Sequence, residues 1–201
     1  MKLTTRGLKY SYGDHSVLSD IDFEIQTGEI VGLVAPSGYG KTTFAKILAG
    51  YQKPKGGRVE MDVPRENGYN PVQLILQHPE QAVDPKWMMK KTVQESWEPP
   101  QELYDIMGIK DEWLKRYPNE LSGGEIQRFC VIRALNPKTK FLIADEMTTM
   151  LDAITTAQIW QVVVERARKG EIGLLVISHE VNMLAHLCDR IVDLKELQEN
   201  A

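Results

Sequence analysis

The chain carries only two cysteines, Cys130 and Cys188, in 201 residues. That is too few for a disulfide framework, and no C-x-x-C pair is present to hold a metal, so both read as buried free thiols and the expected compartment is the cytosol. Long apolar runs are missing as well: nothing approaches the about 20 residues of a membrane-spanning helix. Met1-Lys2-Leu3-Thr4-Thr5-Arg6 has no apolar core of the kind a signal peptide needs, and the stretch after Leu194 is too short for a further domain. Any service to a membrane is therefore expected to rely on another chain that crosses it. Basic blocks are also lacking. Lys and Arg number 24 against 28 Asp and Glu, a formal net charge of −4, so no nucleic-acid partner is expected. There is no internal repeat or low-complexity tract. Hydrophobic residues at 42% and charged residues at 26% exclude disordered and collagen-like classes and leave one α/β domain with room for a small subdomain.

What is present begins with Gly32-Leu33-Val34-Ala35-Pro36-Ser37-Gly38-Tyr39-Gly40-Lys41-Thr42-Thr43, a buried strand running into a glycine-rich phosphate loop. Such a loop turns successive backbone N–H groups around an anion at the positive end of the helix that follows. Gly38 and Gly40 give the backbone freedom this needs. Lys41 is placed to reach the β- and γ-phosphates, Thr42 to ligate Mg²⁺, and Thr43 to cap the same turn. The motif G-x-x-x-x-G-K-[ST] expects glycine where Ala35 stands, which is tolerable if that residue keeps φ below zero.

Leu18 to Ile25 alternates, with Ile21, Phe23 and Ile25 on one face and Asp20, Asp22 and Glu24 on the other, as in a half-exposed antiparallel strand. Residues 30–34, 141–144 and 173–177 are continuous apolar runs, the pattern of parallel strands covered on both faces. Helical patterns over 41–49 and 155–169 end at Gly50 and Gly170. From His78 to Glu120 the alternation breaks, and Trp87, Trp97, Trp113, Met88 and Met89 collect with several prolines in what reads as a small helical insert.

A phosphate loop needs a carboxylate for its metal and a group to activate water. Phe141-Leu142-Ile143-Ala144-Asp145-Glu146 supplies both, since an apolar strand ending in two acids sets Asp145 near Mg²⁺ and leaves Glu146 facing the γ-phosphate. Leu121-Ser122-Gly123-Gly124-Glu125 opens another helix and offers a second anion site.

With this second motif the chain resembles the ATP-binding cassette family of transport ATPases, whose signature reads L-S-G-G-Q before a helix; Glu125 stands at the Gln. The resemblance covers nearly the whole chain, in the family's motif order. It implies an α/β P-loop NTPase fold: a mostly parallel central sheet, an antiparallel N-terminal β-subdomain and a small helical insert. A single ATPase domain over 1–201 is implied, with the ATP-binding core at 1–77 and 137–201 and the helical subdomain at 78–136. Pro36, Ser37, Gly38, Tyr39, Gly40, Lys41, Thr42 and Thr43 then form the nucleotide loop, with ATP and Mg²⁺ as ligands. Ser122, Gly123 and Gly124 are implied to bind the γ-phosphate held by a partner subunit in a head-to-tail dimer.

The same resemblance assigns Tyr12 to adenine stacking, the alternative being a core tyrosine. It assigns Gln77 to Mg²⁺ and the attacking water. Met150-Leu151-Asp152 matches the loop after the catalytic glutamate, with Asp152 at the family's aspartate, although Met147 replaces a usual Pro. His179 matches the switch histidine that fixes the γ-phosphate and Glu146; alone it would read as an ordinary surface histidine.

Arg116-Tyr117-Pro118-Asn119-Glu120-Leu121-Ser122-Gly123-Gly124 is similar to the Y-P-x-E-L-S-G-G run of peptide and nickel importers, as are Gln77-His78-Pro79, Asp84-Pro85 and Glu98-Pro99. The implied partners are an identical or sister ATPase, a membrane permease and an extracytoplasmic substrate-binding protein, with the chain peripheral on the inner face of the cell membrane. The Trp- and Met-bearing insert would then either accept a permease helix or fill its own core. The rival readings are a soluble cassette ATPase of DNA repair or translation, and a non-hydrolysing structural partner.

Overall fold

The computed structural model describes residues 1–63, 68–149 and 151–199. Strands β1 (Lys2–Tyr12) and β2 (His15–Gln26) form an antiparallel hairpin in which Tyr12 faces His15 across the turn. Strand β3 (Ile30–Val34) runs into the phosphate loop and helix α1 (Lys41–Leu48); β4 (Gly56–Met61) returns to pair with β1. After β5 (Val72–Ile75), the stretch up to β6 is helical: α2 (Met89–Gln94), α3 (Gln101–Ile106), α4 (Gly123–Ala134) and three short 3-10 turns. Then β6 (Phe141–Asp145), α5 (Ala153–Arg168), β7 (Gly173–Ile177), α6 (Val181–Leu187), β8 (Arg190–Asp193) and α7 (Leu194–Glu199) follow.

The strands make two sheets. One is antiparallel in the order β2-β1-β4, and the other has five strands in the order β5-β6-β7-β3-β8, with every neighbouring pair parallel. The expected mostly parallel sheet with an antiparallel N-terminal unit is what forms. Its apolar strands are continuous because both faces are covered. Along β6, Phe141 and Ile143 pack with Phe44 of α1 and Phe23 of the hairpin, while Leu142 and Ala144 pack with Phe129 of α4 and Val163 of α5.

Within the helical stretch, Met89 and Trp113 are buried, and the Trp97 indole donates to Ile132 O at 2.9 Å. These residues fill the core that α4 shares with the sheet. Trp87 is half-buried under the Lys91 ammonium at 3.9 Å, and Met88 is exposed.

The C-terminal ends of β3, β5, β6 and β7 lead directly into the phosphate loop, Gln77, Glu146 and His179. Open α/β sheets place ligands beyond these carboxyl ends, because the connections leaving them are free to diverge into a crevice.

Candidate functional site

The phosphate loop spans residues 35–40 between β3 and α1. Gly38 and Gly40 hold φ of +83° and +92°, left-handed values that other L-residues adopt at a cost. At Gly40 a Cβ would lie 2.7 Å from Val17 Cγ1, so the hairpin packs directly on the loop backbone. Among the described residues only Asp20 and Glu146 are non-glycines with positive φ, so Ala35 meets the condition its motif position sets. The Lys41 ammonium lies inside the loop and donates to Ala35 O at 2.7 Å and Pro36 O at 3.2 Å. Burial pushes its pKa down, opposed by the carboxylates of Glu146, Asp145 and Asp193.

One expectation for this turn fails. Thr43 does not cap α1; the cap residue is Gly40, without a side-chain bond. Thr43 lies in the first turn, buried, with its hydroxyl 3.4 Å from the Tyr12 hydroxyl. The reason is position: α1 starts at Lys41, so Thr43 is its third residue and Gly40, with φ +92°, takes the cap place. Tyr12 itself is 51% exposed and belongs to no core.

Beyond the loop, Asp145 ends β6 nearly buried, and burial raises its pKa, partly offset by the neighbouring Thr42 hydroxyl. Glu146 turns sharply at φ +50°, with its N–H donating to Ile177 O at 3.0 Å. A bulky residue held in this region is strained and persists where its surroundings over-determine it. The turn aims the carboxylate at His179, whose Nε2 lies 2.7 Å from Glu146 Oε1. Gln77 joins the group through Thr149: Gln77 Nε2 donates to Thr149 Oγ1 at 3.4 Å, and that hydroxyl donates to Glu146 O at 2.9 Å.

A cavity of about 500 Å³ opens between these elements, and Tyr12, Ser37, Gly38, Gly40, Lys41, Thr42, Thr43, Gln77, Glu146 and His179 line it. Pro36 and Tyr39 are in the same loop, outside that lining. His15 and Val17 line it as well and were missed; the two-residue turn Gly13-Asp14, which sets His15 opposite Tyr12, was the signal available.

The remaining predicted residues lie elsewhere. Ser122 caps α4, accepting the Glu125 N–H at 3.3 Å, while its own N–H donates to Glu125 Oε2 at 2.7 Å. Gly123 and Gly124 open that helix, and a Cβ on Gly124 would press on Leu151 at 3.2 Å. Asp152 caps α5: Thr155 donates to it from N–H at 2.9 Å and from its hydroxyl at 2.6 Å, which lowers its pKa. Met150 lies outside the described residues. Arg128 of α4 ties these two helix starts together, donating to Thr155 Oγ1 at 2.7 Å and Gln158 Oε1 at 2.9 Å.

The sequence from 18 to 149 matches the family model described as "ABC transporter". The chain belongs to the ABC transporter family. Against the Staphylococcus aureus nickel import system ATP-binding protein NikE, this ABC ATPase is 32% identical over 199 residues, covering 90% of its own length and 80% of the relative's. It is 30% identical to the probable D,D-dipeptide transport ATP-binding protein DdpF of Escherichia coli, over 87% of this chain and 59% of that one. A dimeric ATP-binding cassette solved in a post-hydrolysis state with ADP and Pi superposes with a TM-score of 0.78 at 22% identity, over 95% of this chain and 93% of that one. The ABC ATPase thus has the fold of an ATP-binding cassette, and it is an ATP-binding and ATP-hydrolysing subunit of a transporter. Among its described residues no helix is long and apolar enough to cross a membrane.

The buried Asp145 carboxylate has a cost in this ABC ATPase that can be measured. Its raised pKa means that the folded chain holds the proton more tightly than the unfolded one. Stability from this group is therefore greatest at low pH and is lost as pH rises through the raised value. Asp145→Asn should raise the melting temperature of the nucleotide-free, chelator-treated chain at pH 8 by about 2–4 °C, roughly 1 kcal/mol for a domain of this size. The gain should vanish in acid, where the parent's carboxyl is already neutral. Calorimetric scans at both pH values check this; equal melting at pH 8 contradicts it.

Proposed function

We propose that this ABC ATPase powers an importer of peptides or of a chelated metal such as nickel, acting as one of two ATPase subunits on a separate membrane permease. The observation that carries the hydrolytic part is the 2.7 Å contact of His179 with Glu146 at the rim of the cavity that the phosphate loop lines. The cargo class is supported by the names of the NikE and DdpF relatives and by the Y-P-x-E-L-S-G-G run.

In this reading the loop N–H groups and Lys41 hold the phosphates, and Tyr12 stacks on the adenine from the end of β1. Thr42, Asp145 and Gln77 offer a hydroxyl, a buried carboxylate and an amide oxygen. These hard oxygen donors suit Mg²⁺, and a carboxylate desolvated as Asp145 is gains from a cation. When bound, Mg²⁺ would neutralise charge on the β- and γ-phosphates. Glu146 orients the attacking water and takes its proton, while His179 fixes the carboxylate through Nε2 and sits beside the γ-phosphate. Ser122, Gly123 and Gly124, with Asp152, complete the site of the opposing subunit. An extracytoplasmic binding protein delivers the cargo, and the chain sits on the inner face of the membrane against its permease. Trp87 and Met88, left on the surface while Trp97 and Trp113 fill the core, supply the permease contact.

The test is reconstitution in liposomes with the candidate permease and any sister ATPase. Hydrolysis should be stimulated and coupled to uptake of peptide or chelated nickel, and Trp87→Ala should weaken both without changing ATP affinity. A permease that neither binds the chain nor stimulates it would contradict the importer reading.

A further inference from the structure

Gln127 lies on α4 with 1% of its surface exposed. Its Nε2 donates to Leu76 O at 3.2 Å and to Met147 O at 3.0 Å, while among the described residues Oε1 is buried without a partner. The amide's orientation follows from these neighbours: two carbonyl oxygens take the two N–H groups, and the flipped amide would set oxygen against oxygen twice. The unpaired acceptor is a cost that the two bonds to carbonyls offset, so glutamine is held here by those carbonyls rather than by packing.

The two carbonyls it holds are significant for where they sit. Leu76 immediately precedes Gln77, and Met147 immediately follows Glu146. The ladder between β5 and β6 ends at Ile75 opposite Ala144, so past that point the two backbones are no longer joined to each other by strand pairing. Gln127 bridges them where the ladder stops. It does so from the helix whose first residues are Gly123 and Gly124, and Arg128, next to it, anchors that helix to α5.

We propose that Gln127 is a positioning residue: it sets the spacing of Gln77 and Glu146. The inference rests on the assignment of Gln77 and Glu146 to the hydrolytic centre. Gln127 touches neither nucleotide nor water in this account and acts through the two carbonyls.

Gln127→Met keeps most of the volume and removes both donors together with the unpaired acceptor. In the assembled transporter it should lower kcat by about 10-fold or more, since a small misplacement of reacting groups is costly. KM and ATP affinity should stay within about twofold, while the melting temperature should fall modestly because Leu76 O and Met147 O lose their donor. In a Gln77→Ala background the same substitution should cost less, through Glu146 alone, a non-additivity that a merely structural role would not give. Should Gln127→Met not fold, Gln127→Leu removes the same donors with another apolar side chain and should show the same loss in kcat. Parental kcat in the folded variant, or full additivity with Gln77→Ala, overturns the proposal. Glu146→Gln, run alongside, separates the two layers: an inactive Glu146→Gln with a fully active Gln127→Met removes only the positioning role, whereas an active Glu146→Gln removes the catalytic assignment and this inference with it.

Discussion

The assembled transporter carrying Glu146→Gln should bind ATP as tightly as the parent and hydrolyse it at least about 10²-fold more slowly. The substitution keeps the size of the side chain and an oxygen able to accept from His179 Nε2, which now sits 2.7 Å from Glu146 Oε1. The backbone turn at φ +50° is anchored by the N–H bond to Ile177 O and is untouched by the change. What is lost is basicity, so binding and turnover separate. Equilibrium titration with ATP and single-turnover hydrolysis measure the two independently. A near-parental rate would place the base on another residue.

Ser122→Arg should leave ATP affinity of the isolated subunit unchanged and reduce hydrolysis by the assembled complex by about 10²-fold or more, the scale of losing preorganised donors at a developing charge. Ser122 does not line the phosphate-loop cavity, so the subunit's own nucleotide has no contact to lose. It caps α4 at the motif proposed to close over the partner's nucleotide, where a long side chain obstructs approach. Loss of the cap itself costs about 1 kcal/mol, which a melting curve separates from the catalytic effect. Hydrolysis at the parental rate in the complex would show that the two phosphate motifs do not share one nucleotide.

Much of this was legible because it is local. Residues 30–34, 141–145 and 173–177 form parallel strands, as their unbroken apolar character requires once both sheet faces are covered. Lys41 and Glu146 were legible from their own motifs, while Tyr12, Gln77 and His179 were assigned by the family resemblance; all five line one cavity. The errors and omissions are partly local and partly tertiary. Thr43 has the chemistry of a cap but lies at the third position of α1, whose cap is Gly40. Glu125, read as a departure from Gln, makes a capping box with Ser122; the S-x-x-E spacing was visible, and the negative charge suits the helix start. Strand β8 has only the short run Arg190–Asp193 and is half-exposed at the sheet edge, so neither length nor periodicity announces it. Gln127 gains its place from carbonyls on other segments and Thr149 from the Gln77 amide, which no periodicity encodes.

The most direct measurement is a structure of the Glu146→Gln chain with ATP and Mg²⁺. The expected result places the triphosphate in the loop of residues 35–40 with the γ-phosphate beside Lys41 and His179, the metal on Thr42 and Asp145, and residue 146 facing the phosphate. A triphosphate bound away from this loop, or residue 146 and His179 turned from it, would contradict the account.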